Sequence, residues 1–112
     1  MAEKPRDDLL QGTLDMLVLK ALQLGPMHGW AITERLEAGS KQILRIGQGS
    51  LYPALYRLER QGYVASTWGT TENNRRARYY ELTVAGRARL AEARQAWRRL
   101  SRGVDLVLAM TD

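Results

Sequence analysis

Two clusters of hydrogen-bonding side chains have the chemistry to grip a polyanion. The first is Ser50-Leu51-Tyr52-Pro53-Ala54-Leu55-Tyr56-Arg57, with Arg60 just beyond it. The second is Asn73-Asn74-Arg75-Arg76-Ala77-Arg78. Arginine offers a planar fork of donors that fits phosphate oxygens and guanine edges. Serine, tyrosine and asparagine supply shorter donors and acceptors for phosphates and base edges. Lys41 and Arg45 add two cations before the first cluster. Catalytic chemistry is not legible anywhere. His28 is the only histidine, and no serine or aspartate is spaced to make a triad with it. There is no cysteine, and no pair of histidines or carboxylates has metal-ligand spacing. Gly47-Gln48-Gly49 is followed by no GK and does not complete a dinucleotide fingerprint. A non-enzymatic chain without cofactor or metal is expected.

Charge distribution agrees with a polyanion partner. The chain carries a net charge of +5, and arginine supplies 14 of its 17 basic residues. Residues 1–40 hold four basic and six acidic side chains, whereas residues 41–102 hold thirteen basic and four acidic ones. One-sided fields of this kind attract nucleic acid. At 112 residues the chain is long enough for one self-sufficient core. No apolar run is long enough for a membrane span and no signal peptide is apparent, so a cytoplasmic location without membrane contact is expected.

The elements that position the clusters follow from periodicity. Residues 1–7 are polar and are expected to fray. Residues 8–24 read as a helix with Leu10, Leu14, Leu17, Ala21 and Leu24 on one face, ended by Gly25-Pro26. Leu9, Met16 and Leu19 lie on its other sides, which asks for a second covering surface. Residues 28–38 form a second helix with Ala31, Ile32, Arg35 and Leu36 inward, and His28 is read as a packing or capping residue. Residues 42–46 alternate and suggest a brief strand. A third helix runs from Ser50 to about Gln61, with Leu51, Ala54, Leu55 and Leu58 inward and Pro53, Tyr56, Arg57 and Arg60 opposite. Pro53 belongs in a first turn, which makes Gly49 or Ser50 the expected cap. Strands at 63–68 and 77–82 flank a polar hairpin loop at 69–76, where Asn73 and Asn74 tolerate positive φ. Thr83 caps a last helix that runs to about Met110. In it, Leu90, Ala93, Trp97, Leu100, Val104 and Val107 make a heptad-like seam. A second copy of the chain is the simplest partner for that seam, although it can also fold back on the first helix.

Helix, helix, helix, strand, arginine-tipped hairpin, strand, long helix is the order of a winged helix-turn-helix: mainly α with a small β-hairpin, and a long C-terminal dimerisation helix. The expected division is 8–82 for DNA binding and 83–112 for dimerisation. A major groove roughly 12 Å wide admits one helix. The hairpin is then free to follow the backbone or to press arginine into the minor groove. Candidate DNA contacts are Lys41, Ser50, Tyr52, Pro53, Tyr56, Arg57, Asn73, Asn74, Arg75, Arg76 and Arg78. Plainer readings stand beside these: half-buried packing tyrosines, a solvated Arg57–Arg60 face with Glu59, and an unstructured charged loop. A winged-helix module that binds protein rather than DNA is the alternative function.

Leu9-Leu10-Gln11-Gly12-Thr13-Leu14, His28-Gly29-Trp30, Gly49-Ser50-Leu51-Tyr52-Pro53-Ala54-Leu55 with Leu58-Glu59 and Gly62, Arg78-Tyr79-Tyr80, and Leu82-Thr83-Val84-Ala85-Gly86 together span about residues 8–110. In these segments the chain resembles the PadR family of bacterial regulators, in its compact subfamily with a single C-terminal helix. Trp30 departs from the tyrosine often found after that glycine. The resemblance implies a homodimer joined through the last helix, repression at a palindromic operator, and tyrosines at positions 52 and 56 presented to DNA. It also implies a small aromatic effector in some members, stacked on tryptophan from the last helix. Trp97 lies in the matching region, with Met16 and Val104 as neighbours.

Overall fold

The computed structural model describes residues 11–111, so the expectations for residues 1–10 and for Asp112 fall outside the described residues. The elements are α1 (Gln11–Leu22), β1 (Met27–His28), α2 (Gly29–Gly39), α3 (Gln48–Arg60), β2 (Val64–Thr70), β3 (Arg76–Leu82) and α4 (Val84–Leu108). They form a mainly helical fold with a small three-stranded antiparallel sheet in the order β1-β3-β2.

Apolar spacing explains the core. Leu14, Val18, Leu19, Ala21 and Leu22 of α1 meet Ile32 of α2 and Leu51, Ala54, Leu55 and Leu58 of α3. Val64 and Tyr80 of the sheet and Leu90 of α4 close the cluster. The buried face of α1 is rotated from the expected one: Val18, Leu19 and Leu22 are in the core, while Leu24 is exposed beyond the helix end. In α2, Arg35 is exposed, not inward.

Helix ends follow local chemistry. His28 caps α2, its Nδ1 accepting from the Ala31 N–H at 3.3 Å. Gly47 caps α3 through its backbone carbonyl, which accepts from the Ser50 and Leu51 N–H groups. The helix therefore starts earlier than the proline implied, and Pro53 sits in its second turn. The hydrogen bond lost there would have run to Gly49, whose exposure leaves its carbonyl to water. Thr83 caps α4 as expected: its Oγ1 accepts from Gly86 N–H at 3.0 Å and its hydroxyl donates to the Gly62 carbonyl at 2.7 Å. A Cβ on Gly86 would run into the Tyr63 carbonyl, so the close crossing of α4 over the β2 start requires glycine there.

One further local reading is corrected. Residues 42–46 form no strand. Lys41 and Gln42 take left-handed φ values of 54° and 66°. Backbone groups of this segment bond back to the end of α2: Gln42 N–H to the Glu37 carbonyl, Leu44 N–H to Ser40 Oγ, and Ile46 N–H to Glu37 Oε2. Ile46 is buried as the anchor of this link. The strand that does exist, β1, has two residues, and Met27 and His28 pair with Tyr80 and Tyr79.

Candidate nucleic-acid interface

Leucine packing decides which way α3 faces. With Leu51, Ala54, Leu55 and Leu58 buried, Ser50, Tyr52, Pro53, Tyr56 and Arg60 are left on the exposed side. Tyr56 is 62% exposed. Arg60 Nη1 donates to the Tyr56 hydroxyl at 3.3 Å, and its guanidinium lies 5.7 Å from the ring centroid. Tyr52 lies across the start of α2, where a Cβ on Gly29 would collide with its hydroxyl. The glycine of His28-Gly29-Trp30 thus makes room for a tyrosine of α3.

Arg57 does not share this outer face. Its Nη2 lies 2.8 Å from Asp15 Oδ1 of α1, both side chains are largely covered, and its Nε is buried without a hydrogen-bond partner. The expectation that Arg57 faces DNA is corrected: the guanidinium is committed to tying α3 to α1.

The hairpin is a built wing. β2 and β3 pair from Val64↔Leu82 to Thr70↔Arg76, leaving a loop shorter than expected at residues 71–75. Thr71 N–H donates to the Arg75 carbonyl at 2.8 Å, Asn74 N–H to the Thr71 carbonyl at 2.9 Å, and Asn74 takes φ 62°. Asn73, Asn74, Arg75, Arg76 and Arg78 are all exposed on it. Tight backbone closure holds the tip without help from these side chains.

Sequence reasoning missed a polar latch between wing and α3. Ser66 Oγ donates to Glu59 Oε2 at 2.7 Å, Arg78 Nε donates to Ser66 Oγ at 2.9 Å, and Arg78 Nη2 lies 4.0 Å from Glu59 Oε2. Behind it Tyr80 is buried, and burial pushes its phenol above the ordinary tyrosine range, with the nearby Arg78 charge partly opposing. The observed hairpin register brings them together, because it puts Ser66, Trp68, Arg76 and Arg78 on one face. Two guanidiniums lie over the Trp68 ring, those of Arg76 at 4.8 Å and Arg78 at 5.4 Å from its centroid.

An open cleft of about 870 Å³ separates the wing from the start of α2 and from Tyr52, with Trp30 and Glu34 on its α2 side. Lys41 and Arg45 are exposed on the link before α3.

On α4, Leu90 is 2% exposed and belongs to the chain's own core, which corrects its place in the intermolecular seam. Ala93 is half-buried, while Trp97, Leu100, Val104 and Val107 are exposed. Met16 of α1 packs against the core and is half-buried. Among the described residues no helix is long and apolar enough to cross a membrane, and no cluster of histidine, cysteine or carboxylate side chains has metal-binding geometry.

Comparison with known proteins places this arrangement. Residues 18–92 match the Transcriptional regulator PadR-like family. Transcriptional regulator Rv3488 of Mycobacterium tuberculosis is 40% identical over 78 residues, covering 70% of this chain and 69% of that protein. A PadR family transcriptional regulator from Eggerthella lenta superposes with a TM-score of 0.77 at 35% identity, covering 90% of this chain and 86% of its own. A transcriptional regulator from Clostridium thermocellum gives a TM-score of 0.80 at 27% identity, covering 93% of this chain and 100% of its own. The shared fold is the winged helix, and the relatives are regulators, not enzymes. With its helix order, wing and match over most of its length, the chain belongs to the PadR-like family of transcriptional regulators.

Proposed function

We propose that the chain binds double-stranded DNA sequence-specifically as a cytoplasmic homodimer and represses transcription from a palindromic operator. The observation that carries this reading is the exposed row Ser50, Tyr52 and Tyr56 on α3 beside a wing bearing Arg75, Arg76 and Arg78. In this reading α3 enters the major groove and the tyrosine hydroxyls reach base edges and phosphates. Asn73, Asn74, Arg75 and Arg76 meet the backbone or minor groove, and Lys41 meets a flanking phosphate. Arg78, held by Ser66 and Glu59, keeps enough exposed surface to join them.

The seam on α4 supports the dimer. Trp97, Leu100, Val104 and Val107 recur at heptad-like spacing on a helix of 25 residues and stay exposed among the described residues. Isologous pairing of two such helices relates the two α3 helices by a two-fold axis, which is the symmetry of a palindrome. Release by a small aromatic effector is a second reading, favoured by Trp97 remaining 45% exposed with Val104 on the same side of α4. Met16 of α1, half-buried against the core, is the third residue of this reading.

Tyr56→Ala tests the recognition face. Operator affinity should fall about tenfold while thermal unfolding stays within about 2 °C of the parent, since an exposed side chain contributes little to folding. Unchanged affinity would remove Tyr56 from the interface and return weight to a protein-binding module.

A further inference from the structure

We infer that Trp68 is a positioning residue of the wing, its indole holding the guanidiniums of Arg76 and Arg78 as a fixed pair of phosphate-binding cations. This rests on reading the wing as a DNA-binding element. Strand register sets Trp68 directly opposite Arg78, with Arg76 on the diagonal of the same sheet face. Cross-strand neighbours at these positions are within reach of an aromatic ring. Both guanidinium carbons lie over the ring, at 4.8 and 5.4 Å from its centroid. Such distances fall inside the range of cation–π attraction.

Core packing does not account for the tryptophan. Trp68 is 57% exposed and lies outside the buried cluster. The two arginines differ in what else holds them. Arg78 is also fixed from behind by Ser66 and, at longer range, by Glu59 of α3. Arg76 has no ion pair or side-chain hydrogen bond among the described residues, and the indole face is what orders it. A long free arginine loses rotamer freedom when it grips a phosphate, and stacking removes part of that loss beforehand. The Glu59–Ser66–Arg78 latch sets the stacked group at a fixed distance from α3, as a wing that must follow the backbone beside a groove-bound helix requires.

Two readouts test this on the full-length chain. In the free protein, ring current should move the side-chain NMR signals of Arg76 and Arg78 upfield, and Trp68→Ala should return both to ordinary positions. Absence of that shift in the parent would overturn the stacking. With a duplex of random sequence, Trp68→Ala should weaken binding about three- to tenfold and Trp68→Phe less than about twofold. In an Arg76→Ala/Arg78→Ala background, Trp68→Ala should cost less than about twofold. An equal cost in that background would make the indole a contact in its own right and overturn the positioning role. Parent protein that binds no duplex would overturn the DNA reading and this role with it. Parent binding together with an indifferent Trp68→Ala would overturn this role alone.

Discussion

Removing Asp15 should unbalance the fold more than removing its partner Arg57. The pair spans 2.8 Å between α1 and α3, with side chains 18% and 29% exposed, and Arg57 Nε is already buried without a partner. Asp15→Ala leaves a half-buried cation with no opposing charge. Hydrogen bonds to charged groups contribute about 1.5–3 kcal/mol, and breaking a fully buried pair costs about 3–5 kcal/mol. Partial exposure places Asp15→Ala at about 2 kcal/mol. Arg57→Leu keeps an apolar stem against the core and lets Asp15 reach water, so about 1 kcal/mol is expected. The double variant should recover about 1 kcal/mol relative to the sum of the two. Urea unfolding at one fixed protein concentration measures all three, and the Asp15→Ala midpoint should drop by about 1 M. Additivity within about 0.3 kcal/mol would refute the coupling. The same Arg57→Leu protein should keep operator affinity within about twofold, and a tenfold loss would return Arg57 to the DNA face.

Thr83→Ala removes both the cap on Gly86 N–H and the donor to the Gly62 carbonyl, and should cost about 1–2 kcal/mol, read as a Tm lower by about 5–10 °C. A loss below about 2 °C would show that the α4 start is held by other contacts. Alkaline stability should report Tyr80. Burial raises its phenol pKa in the folded state, so the folded chain holds the proton more tightly than the unfolded one. The resulting stability is whole below the unfolded value of about 10 and is lost as pH rises through the folded one. Tyr80→Phe should therefore flatten the decline in unfolding free energy above about pH 10, and an unchanged decline would assign it to other groups.

Much of this fold can be read from residue spacing, because leucine periodicity and helix caps are local. The buried face of α3 follows from Leu51, Ala54, Leu55 and Leu58, and Thr83 announces α4 three residues before Gly86. Long-range decisions are not local. β1 has two residues and no period, and exists because the edge of β3 needs partners. Residues 42–46 alternate like a strand, yet left-handed backbone at Lys41 and Gln42 folds them onto the end of α2. Pro53 suggested a first turn, but a carbonyl cap at Gly47 leaves it in the second. Leu90 fits a heptad seam as well as a core, and tertiary contact with α1 decided for the core.

The interface shows the same division. That α3 turns Tyr52 and Tyr56 outward follows from helical period alone. Arg57 departs because its partner Asp15 lies 42 positions earlier, a contact no periodicity reveals. Trp68 and Ser66 join Arg76 and Arg78 only once strand register is known, and Glu59 joins only once α3 packs beside the wing.

Sequence-specific DNA binding is the central claim, and fluorescence anisotropy tests it most directly. The full-length protein is titrated against a labelled duplex carrying its own upstream promoter, and against a scrambled duplex of equal composition, at about 50 and about 200 mM salt. The account predicts a preference for the promoter of about a hundredfold or more, and a drop of about tenfold or more on both duplexes at the higher salt. Equal affinity for the two duplexes, or binding to neither, would contradict it.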